Sequence, residues 1–183
     1  MTDFISSWLG VGKYLWVAGF GGWVVSLFLN SCSHVDSMWS LFFVGAGSYY
    51  YFSSPVTNPY APVLLAMVGL WGVRLSAYIT WRNHGMGEDY RYKKIREKWS
   101  PHYWIKSLGI VFTLQAVLAW IISMPLYFMM TTTPTMPALM WTGLGISAAG
   151  FLCESIGDYQ LSRFLANPDN KGKVCRDGLW NYT

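Results

Sequence analysis

Near the end of the chain, two carboxylates and a hydroxyl follow one another at helical spacing. Glu154, Asp158 and Ser162 follow one another at intervals of four residues, which places them on one face of a helix. Two acidic side chains at this spacing destabilise an isolated helix by about 0.2–0.5 kcal/mol, and hydrogen bonds from a ligand's hydroxyl or amide groups would offset that repulsion. Lys171 and Lys173 follow soon after, and cations of this kind bind phosphate groups. The alternative is that all these residues are ordinary surface charges at a helix end.

A second set of polar residues lies inside an apolar segment. Trp71, Arg74, Tyr78 and Arg82 are spaced i, i+3, i+7 and i+11, so a helix would present them on one face. Arg74 is about 10 Å from the end of this segment at about 1.5 Å per residue, a depth at which charged side chains usually face the protein interior. The pattern predicts one wall of a pocket. Alternatively, the long Arg74 side chain reaches back to the lipid headgroups.

Asp36 begins another apolar segment, in the sequence "SHVDSMW". One interpretation is a carboxylate that caps a helix and complements its dipole, and the other is a carboxyl group at the mouth of a pocket. Cys32, His34 and Asp36 alternate, but three such residues without a partner cluster are a weak sign of a metal, and we predict no metal site. The three cysteines lack CxxC spacing, so the sequence indicates neither a disulfide framework nor a zinc site.

The composition places these residues in a membrane protein. The chain is 53% hydrophobic and 12% charged, against about 25% charged in soluble domains, and residues 107–153 contain no Asp, Glu, Lys or Arg. Apolar runs of about 20 residues match the thickness of a bilayer. We predict an all-α, polytopic transmembrane helix bundle forming one membrane-embedded domain, residues 1–183. Its five spans are expected at about 14–29, 37–52, 61–81, 107–130 and 137–153, the last continuing as a helix to about residue 164.

The distribution of charge predicts the orientation of the chain. The loop at about 82–106 holds seven Lys or Arg against three Asp or Glu, whereas the turns at 53–60 and 131–136 hold none. The positive-inside rule then places this loop and the tail, about 154–183, in the cytoplasm, with the N-terminus outside. A bacterial inner membrane is favoured, with the endoplasmic reticulum as the alternative. A dense basic run with interleaved aromatics is missing, so nucleic acid is not expected as a partner.

Four segments carry a resemblance to a known family: "DSMW" from Asp36, "WGVRLSAYITWR" from Trp71, "GEDYRY" from Gly87 and "GDYQLSRFLANPDNKGKVCRDGLW" from Gly157. From about Asn30 onward the chain resembles the steroid 5α-reductase C-terminal domain family, in its bacterial-type, uncharacterised, DUF1295-like branch. The resemblance implies a bundle of seven transmembrane helices with NADPH in a cavity open to the cytosol. It also implies hydride transfer to a conjugated C=C bond of a hydrophobic small molecule, a lipid or steroid-like enone.

The resemblance also implies roles for individual residues. Asp158 matches a carboxylate that faces the cofactor, Glu154 replaces an amide residue with the same task, and Lys171 and Lys173 lie where basic residues contact the phosphates. The predicted cofactor-binding residues are Arg74, Arg82, Glu154, Asp158, Arg163, Lys171 and Lys173. The Gln–Glu pair with which the steroid-converting members polarise the ketone is missing, and Trp71 stands in place of a tyrosine. Asp36 and Tyr78 are the candidate catalytic residues in their place.

The family pattern continues beyond "GLW" with two more helices. We therefore expect about five of seven spans in these 183 residues and an incomplete cofactor site. Two alternatives to the reductase are an S-adenosylmethionine-dependent methyltransferase of a related fold and a non-enzymatic membrane scaffold or lipid-binding protein. Lys171 and Lys173 favour NADPH, whose additional phosphate requires cations.

Overall fold

The computed structural model describes residues 2–182, and its secondary structure is helical with no strand in that range. This confirms the all-α prediction. Eight α-helices and three shorter helical segments follow one another in the described chain: α1 (Thr2–Leu29), α2 (His34–Ser53), α3 (Ala61–Asn83), α4 (Tyr90–Trp99), α5 (Tyr103–Ser107), a π-helical turn (Leu108–Thr113), α6 (Leu114–Ile122), α7 (Met124–Thr131), α8 (Pro137–Ala166) and two 3-10 helices (Pro168–Asn170 and Gly178–Tyr182).

Within residues 2–182, four helical stretches are long and apolar enough to cross a membrane, namely Asp3–Leu29, Ala61–Asn83, Tyr103–Thr131 and Pro137–Ala166. They confirm a multi-pass membrane helix bundle. The remaining predicted span corresponds to α2, whose 20 residues extend about 30 Å. This helix is less apolar because it packs against α1, α3, α6 and α7. Its Ser40 and Tyr50 are fully buried against protein, so fewer of its positions need lipid-facing aliphatic side chains.

The first span begins twelve residues earlier than predicted, since α1 starts at Thr2 and not near Tyr14. Glycines, serines and Lys13 lower the hydropathy of this first part, yet it is helical because its glycines allow close packing. A Cβ on Gly10 would overlap the Tyr49 ring, and one on Gly12 would lie 2.8 Å from the Trp120 ring. These two glycines therefore allow α1 to pack closely against neighbouring helices.

The contact between α2 and α3 is equally close. The Ser40 hydroxyl donates a 2.8 Å hydrogen bond to the Gly72 carbonyl. A Cβ on Gly72 would lie 2.9 Å from the Ser40 carbonyl oxygen and would overlap Val44. Glycine at position 72 therefore sets the distance between the two helices.

The fourth span, Tyr103–Thr131, crosses the membrane as several consecutive helical segments with one break in the helix, at Ser123. The run from Tyr103 to Ile122 passes through the π-helical turn, and α7 starts anew at Met124 with Pro125 in its first turn. Pro125 has no backbone N–H to continue the helix. Ser123, fully buried, donates its backbone N–H to the Ala119 carbonyl at 2.8 Å. The polar groups at this break are therefore satisfied within the protein.

The chain divides into two compact units, residues 1–133 and residues 134–183. The second contains α8 and the tail, and α8 runs unbroken through Ala166, which confirms the predicted continuation of the last span. The tail returns to α8, since Trp180 Nε1 donates to the Gly157 carbonyl at 2.9 Å and the Leu179 N–H donates to Gln160 Oε1 at 2.9 Å. The assignment of residues 1–183 to a single domain stays a prediction.

Candidate functional site

The charged loop is docked onto the connection between α1 and α2. The Cys32 N–H donates to Glu88 Oε1 at 3.1 Å, and the Asp89 N–H donates to the Ser33 hydroxyl at 2.8 Å. Each segment thus offers a backbone donor to a side chain of the other. This part of the loop is fixed in place by hydrogen bonds.

Glu88 holds the guanidinium of Arg96 in a two-point contact. Arg96 Nε lies 3.0 Å from Glu88 Oε2, and Arg96 Nη2 lies 2.9 Å from Glu88 Oε1. The same Nη2 donates to the Asn30 carbonyl at 3.2 Å, at the end of α1. The hydrogen bond from Arg96 to Glu88 raises the pKa of the guanidinium, so Arg96 makes this contact as a cation.

Asp36 is the second anchor of the loop. Arg91 Nη2 lies 2.6 Å from Asp36 Oδ2, and the Tyr92 hydroxyl donates to Asp36 Oδ1 at 2.6 Å. Burial, and then the hydrogen bond to Asp36, raise the pKa of Tyr92, so its hydroxyl keeps the proton that it donates. Arg91 also contacts Asp89 at 3.1 Å and lowers the pKa of that carboxyl. The side chain of Asp36 does not cap α2; both of its oxygens bind the loop.

We call this set of contacts the loop-docking cluster. Its members are Asn30, Cys32, Ser33, Asp36, Glu88, Asp89, Arg91, Tyr92 and Arg96.

The cluster depends on helix α4, which the sequence analysis did not predict. Gly85 and Gly87 adopt positive φ values of 76° and 73°, which glycine accepts without strain, and the chain turns there after α3. Asp89 then caps α4, because its side chain accepts from the Arg91 N–H at 2.9 Å. The cap was visible in the sequence as Asp89 before a run with Tyr92 and Ile95 at helical spacing. The dense charge of the run obscured that pattern.

Cys32 lies beneath the loop with only 2% of its surface exposed. The Tyr103 hydroxyl donates to its sulfur at 3.4 Å. Burial raises the pKa of the Cys32 thiol, which keeps it in the unreactive protonated form. All three cysteines are free thiols.

The alternating residues Cys32, His34 and Asp36 do not converge. His34 Nε2 pairs with the Gly22 carbonyl at 2.9 Å, away from the Asp36 carboxylate and its partners in α4. Within residues 2–182, no group of three His, Cys, Asp or Glu side chains is arranged to hold a metal ion.

The polar residues of α3 form the predicted stripe on one helix face. Trp71, Arg74 and Tyr78 are half-buried, while Arg82 is exposed with its guanidinium carbon 5.6 Å from the centre of the Tyr78 ring. Trp71 packs edge-on against Phe43 of α2, with ring centres 6.0 Å apart. The role of this face as a pocket wall stays a prediction.

In the second unit, Glu154, Asp158 and Ser162 are all half-buried on one face of α8. The Ser162 hydroxyl donates to the Asp158 backbone carbonyl at 2.8 Å, so it is already used within the helix. The two carboxylates and this hydroxyl thus share one face of α8.

The cations of the second unit follow in chain order. Arg163 is exposed, with its guanidinium carbon 5.9 Å from the Tyr159 ring centre. Lys171 and Lys173 are exposed on either side of Gly172, whose φ is +80°. The Lys173 N–H donates to the Asn170 carbonyl at 2.9 Å, which holds this turn. Carboxylates on a helix are thus followed by cations in an ordered turn.

Apolar helices of membrane length joined by a hydrogen-bonded polar loop define a polytopic helical membrane protein. Within that class the chain belongs to the family described as "Protein of unknown function (DUF1295)", whose model matches residues 22–183. The DUF1295-like assignment made from the sequence motifs is confirmed. Comparison with curated proteins gave no match, and comparison with solved structures also gave none.

Proposed function

We propose that this protein is an integral membrane reductase that uses NADPH to reduce a conjugated C=C bond in a lipid or steroid-like enone. The proposal is supported by the sequence motifs that resemble the steroid 5α-reductase family. The observation that carries it is the order of side chains in the second unit, where α8 leaves the apolar region and presents two carboxylates before a turn with two lysines. In this proposal the charged loop and the tail face the cytosol, which supplies the cofactor.

The donor and acceptor groups of the second unit fit NADPH. Glu154 and Asp158 are half-buried and, as carboxylates, can only accept hydrogen bonds when ionised, which suits the ribose hydroxyls and the nicotinamide amide. Lys171 and Lys173 carry exposed ammonium groups at an ordered turn, which suits phosphates. Arg163 adds a third cation on the last turns of α8.

NADPH, when bound, supplies a hydride from C4 of the nicotinamide. The protein's own residues then have three tasks. Glu154 and Asp158 would orient the polar part of the cofactor, and the cations Arg163, Lys171 and Lys173 would hold its phosphates. The apolar helices would admit a hydrophobic substrate and exclude water.

The remaining task is to polarise the carbonyl of the substrate and deliver a proton to it. Tyr78 suits this task because its phenol is a proton donor on the polar face of α3. Asp36 is less suited, since both of its oxygens already accept hydrogen bonds, from Arg91 and Tyr92. Arg74 and Arg82 would add positive charge to the same face of α3.

The test is cofactor binding by the full-length gene product in detergent, measured by titration calorimetry with NADPH, NADH and S-adenosylmethionine. We expect NADPH to bind more tightly than NADH, because Lys171 and Lys173 contact the additional phosphate. The variant K171Q/K173Q should bind the two nicotinamide cofactors equally, and D158N should weaken both about tenfold or more. D169N is the matched control, since Asp169 is an exposed carboxylate in the same unit outside the proposed site.

Binding of S-adenosylmethionine in preference to NADPH would replace the reductase with a methyltransferase. Binding of neither would leave a non-enzymatic membrane protein. If NADPH binds, Tyr78→Phe should abolish turnover of an enone without loss of cofactor affinity. D36N should lower turnover no more than R91Q does, because the two variants disrupt the same ion pair.

A further inference from the structure

The five Lys and Arg side chains of α4 differ in what they contact. Arg91 and Arg96 bind the carboxylates of the loop-docking cluster, as described above. Lys93, Lys94 and Lys98 are exposed, and among the described residues none of the three forms an ion pair. The arginines hold the loop in place, and the lysines are left facing outward.

The lysine face is a continuous surface. Tyr90, Lys93, Lys94, Glu97 and Lys98 occupy the side of α4 opposite Tyr92 and Ile95, at helical spacing. Lys94 Nζ lies 5.5 Å from the centre of the Tyr90 ring, which is two-thirds exposed. With three lysines and one glutamate, this face has a surplus of two positive charges.

Two exposed tryptophans follow the lysines along the chain, where α4 ends and the fourth span begins. Trp104 is 54% exposed, one residue inside the span that starts at Tyr103, and Trp99 ends α4. The Lys106 side chain extends toward the end of α4. Its Nζ donates to the Trp99 carbonyl at 3.0 Å and lies 6.0 Å from the centre of the Trp99 ring. Exposed tryptophans beside a lysine at a span end are typical of the headgroup region of a bilayer.

We propose that the lysine face of α4, with Trp99 and Trp104, binds the headgroups of anionic phospholipids in the leaflet that the charged loop adjoins. Charge complementarity selects this occupant, because the face carries three ammonium groups against the single carboxylate of Glu97. The tryptophans place it beside the phosphates. The loop-docking cluster presents the lysines on a fixed helix, which a flexible charge run would not do. This inference does not depend on the proposed reductase activity.

The experiment measures lipid affinity for the full-length protein in a neutral detergent. Phosphatidylglycerol or phosphatidylcholine is titrated in, and the rise of Tm gives the apparent affinity for each lipid. We expect stronger stabilisation by phosphatidylglycerol, reduced by salt because exposed charges are screened. K93Q/K94Q/K98Q should weaken the apparent affinity for phosphatidylglycerol about tenfold or more, given the effect of each Lys near an anionic surface, and should leave phosphatidylcholine unaffected.

Two matched variants make the result specific to this face. K93R/K94R/K98R keeps the charge and should retain the preference, while K171Q/K173Q/R176Q removes three exposed cations from the tail and should also retain it. Equal stabilisation by the two lipids, or a preference that survives K93Q/K94Q/K98Q, would overturn the proposal. Because these lysines make no ion pairs in the described chain, the Tm of that variant without lipid should equal that of the parent. Loss of NADPH binding would not affect this readout.

Discussion

Arg91 in α4 reaches Asp36 in α2 across 55 residues of sequence and approaches its carboxylate to 2.6 Å. The neighbouring Tyr92 hydroxyl binds the other oxygen of the same carboxylate. Asp36 is therefore bound by consecutive residues of the charged loop. The first turn of α2 and the first turn of α4 are joined at this point.

Replacing Arg91 with Gln should loosen the docking of α4. Because the Arg91 guanidinium is half exposed, we expect a loss of about 1 kcal/mol in the free energy of unfolding and faster amide exchange in α4. Thermal unfolding and hydrogen–deuterium exchange in detergent would measure these effects. K93Q removes a cation from the same helix without breaking an ion pair, so equal behaviour of R91Q and K93Q would contradict the assignment.

Acid should weaken the same docking through Asp89. The hydrogen bond from the Arg91 side chain lowers the pKa of this carboxyl below its ordinary value, so the folded state binds the proton less readily than the unfolded state. The stability that Asp89 contributes is therefore fully present above the unfolded pKa of about 3.9 and is lost as pH falls through the folded pKa. Tm measured from pH 7 to pH 3 should show a smaller acid-induced decrease in D89N than in the parent. Superimposable curves would exclude this contribution.

Cys32 should report whether the loop is docked. In a C153S/C175S background, we expect slow reaction with a water-soluble maleimide, because Cys32 is buried and its thiol pKa is raised. Glu88 binds the Arg96 guanidinium and accepts a hydrogen bond from the Cys32 N–H. E88Q should weaken both contacts and so loosen the loop above Cys32. A loss of about 1.4 kcal/mol in local stability would raise the labelling rate about tenfold. E97Q changes an exposed carboxylate on the same helix and should leave the rate unchanged; similar rates in E88Q and E97Q would count against the docking role of Glu88.

Gly72 should not tolerate a side chain. Gly72→Ala places a Cβ 2.9 Å from the Ser40 carbonyl oxygen and into Val44, so α2 and α3 would have to separate, at a cost of about 1–3 kcal/mol. Gly69→Ala, on the same helix with open space around it, should be neutral or stabilise by up to about 1 kcal/mol through helix propensity. Thermal unfolding of the two variants provides the comparison, and equal Tm values would show that the contact does not limit the helix distance.

The spans were largely predictable because each must be apolar over about 20 residues to cross the bilayer, whatever its neighbours are. Hydropathy along the sequence measures this property directly. The limits of α3 and α8 were close to those predicted for this reason. The start of α1 was missed because packing against Tyr49 and Trp120 compensates for its glycines, and hydropathy does not register a neighbouring helix. The same reasoning explains α2, whose buried Ser40 and Tyr50 lower its hydropathy without removing it from the bundle.

The sequence predicted individual residues of the candidate site but not the contacts between them. The sequence identified Asp36 as a candidate catalytic carboxylate, but its partners Arg91 and Tyr92 lie in the loop whose charge predicted only the orientation of the chain. Spacing along one helix can identify a face, as it did for Glu154 and Asp158. It gives no information about which distant segment meets that face.

The sequence by itself determined that this chain is a helical, multi-pass membrane protein of the DUF1295 family, because apolar length and local motifs are properties of contiguous residues. Only the tertiary structure decided how the charges of the loop are used. Arg91 and Arg96 turn inward to Asp36 and Glu88, while Lys93, Lys94 and Lys98 remain outside. All five are equivalent as charges in the sequence, and they differ because α4 has one face against the protein and one face away from it.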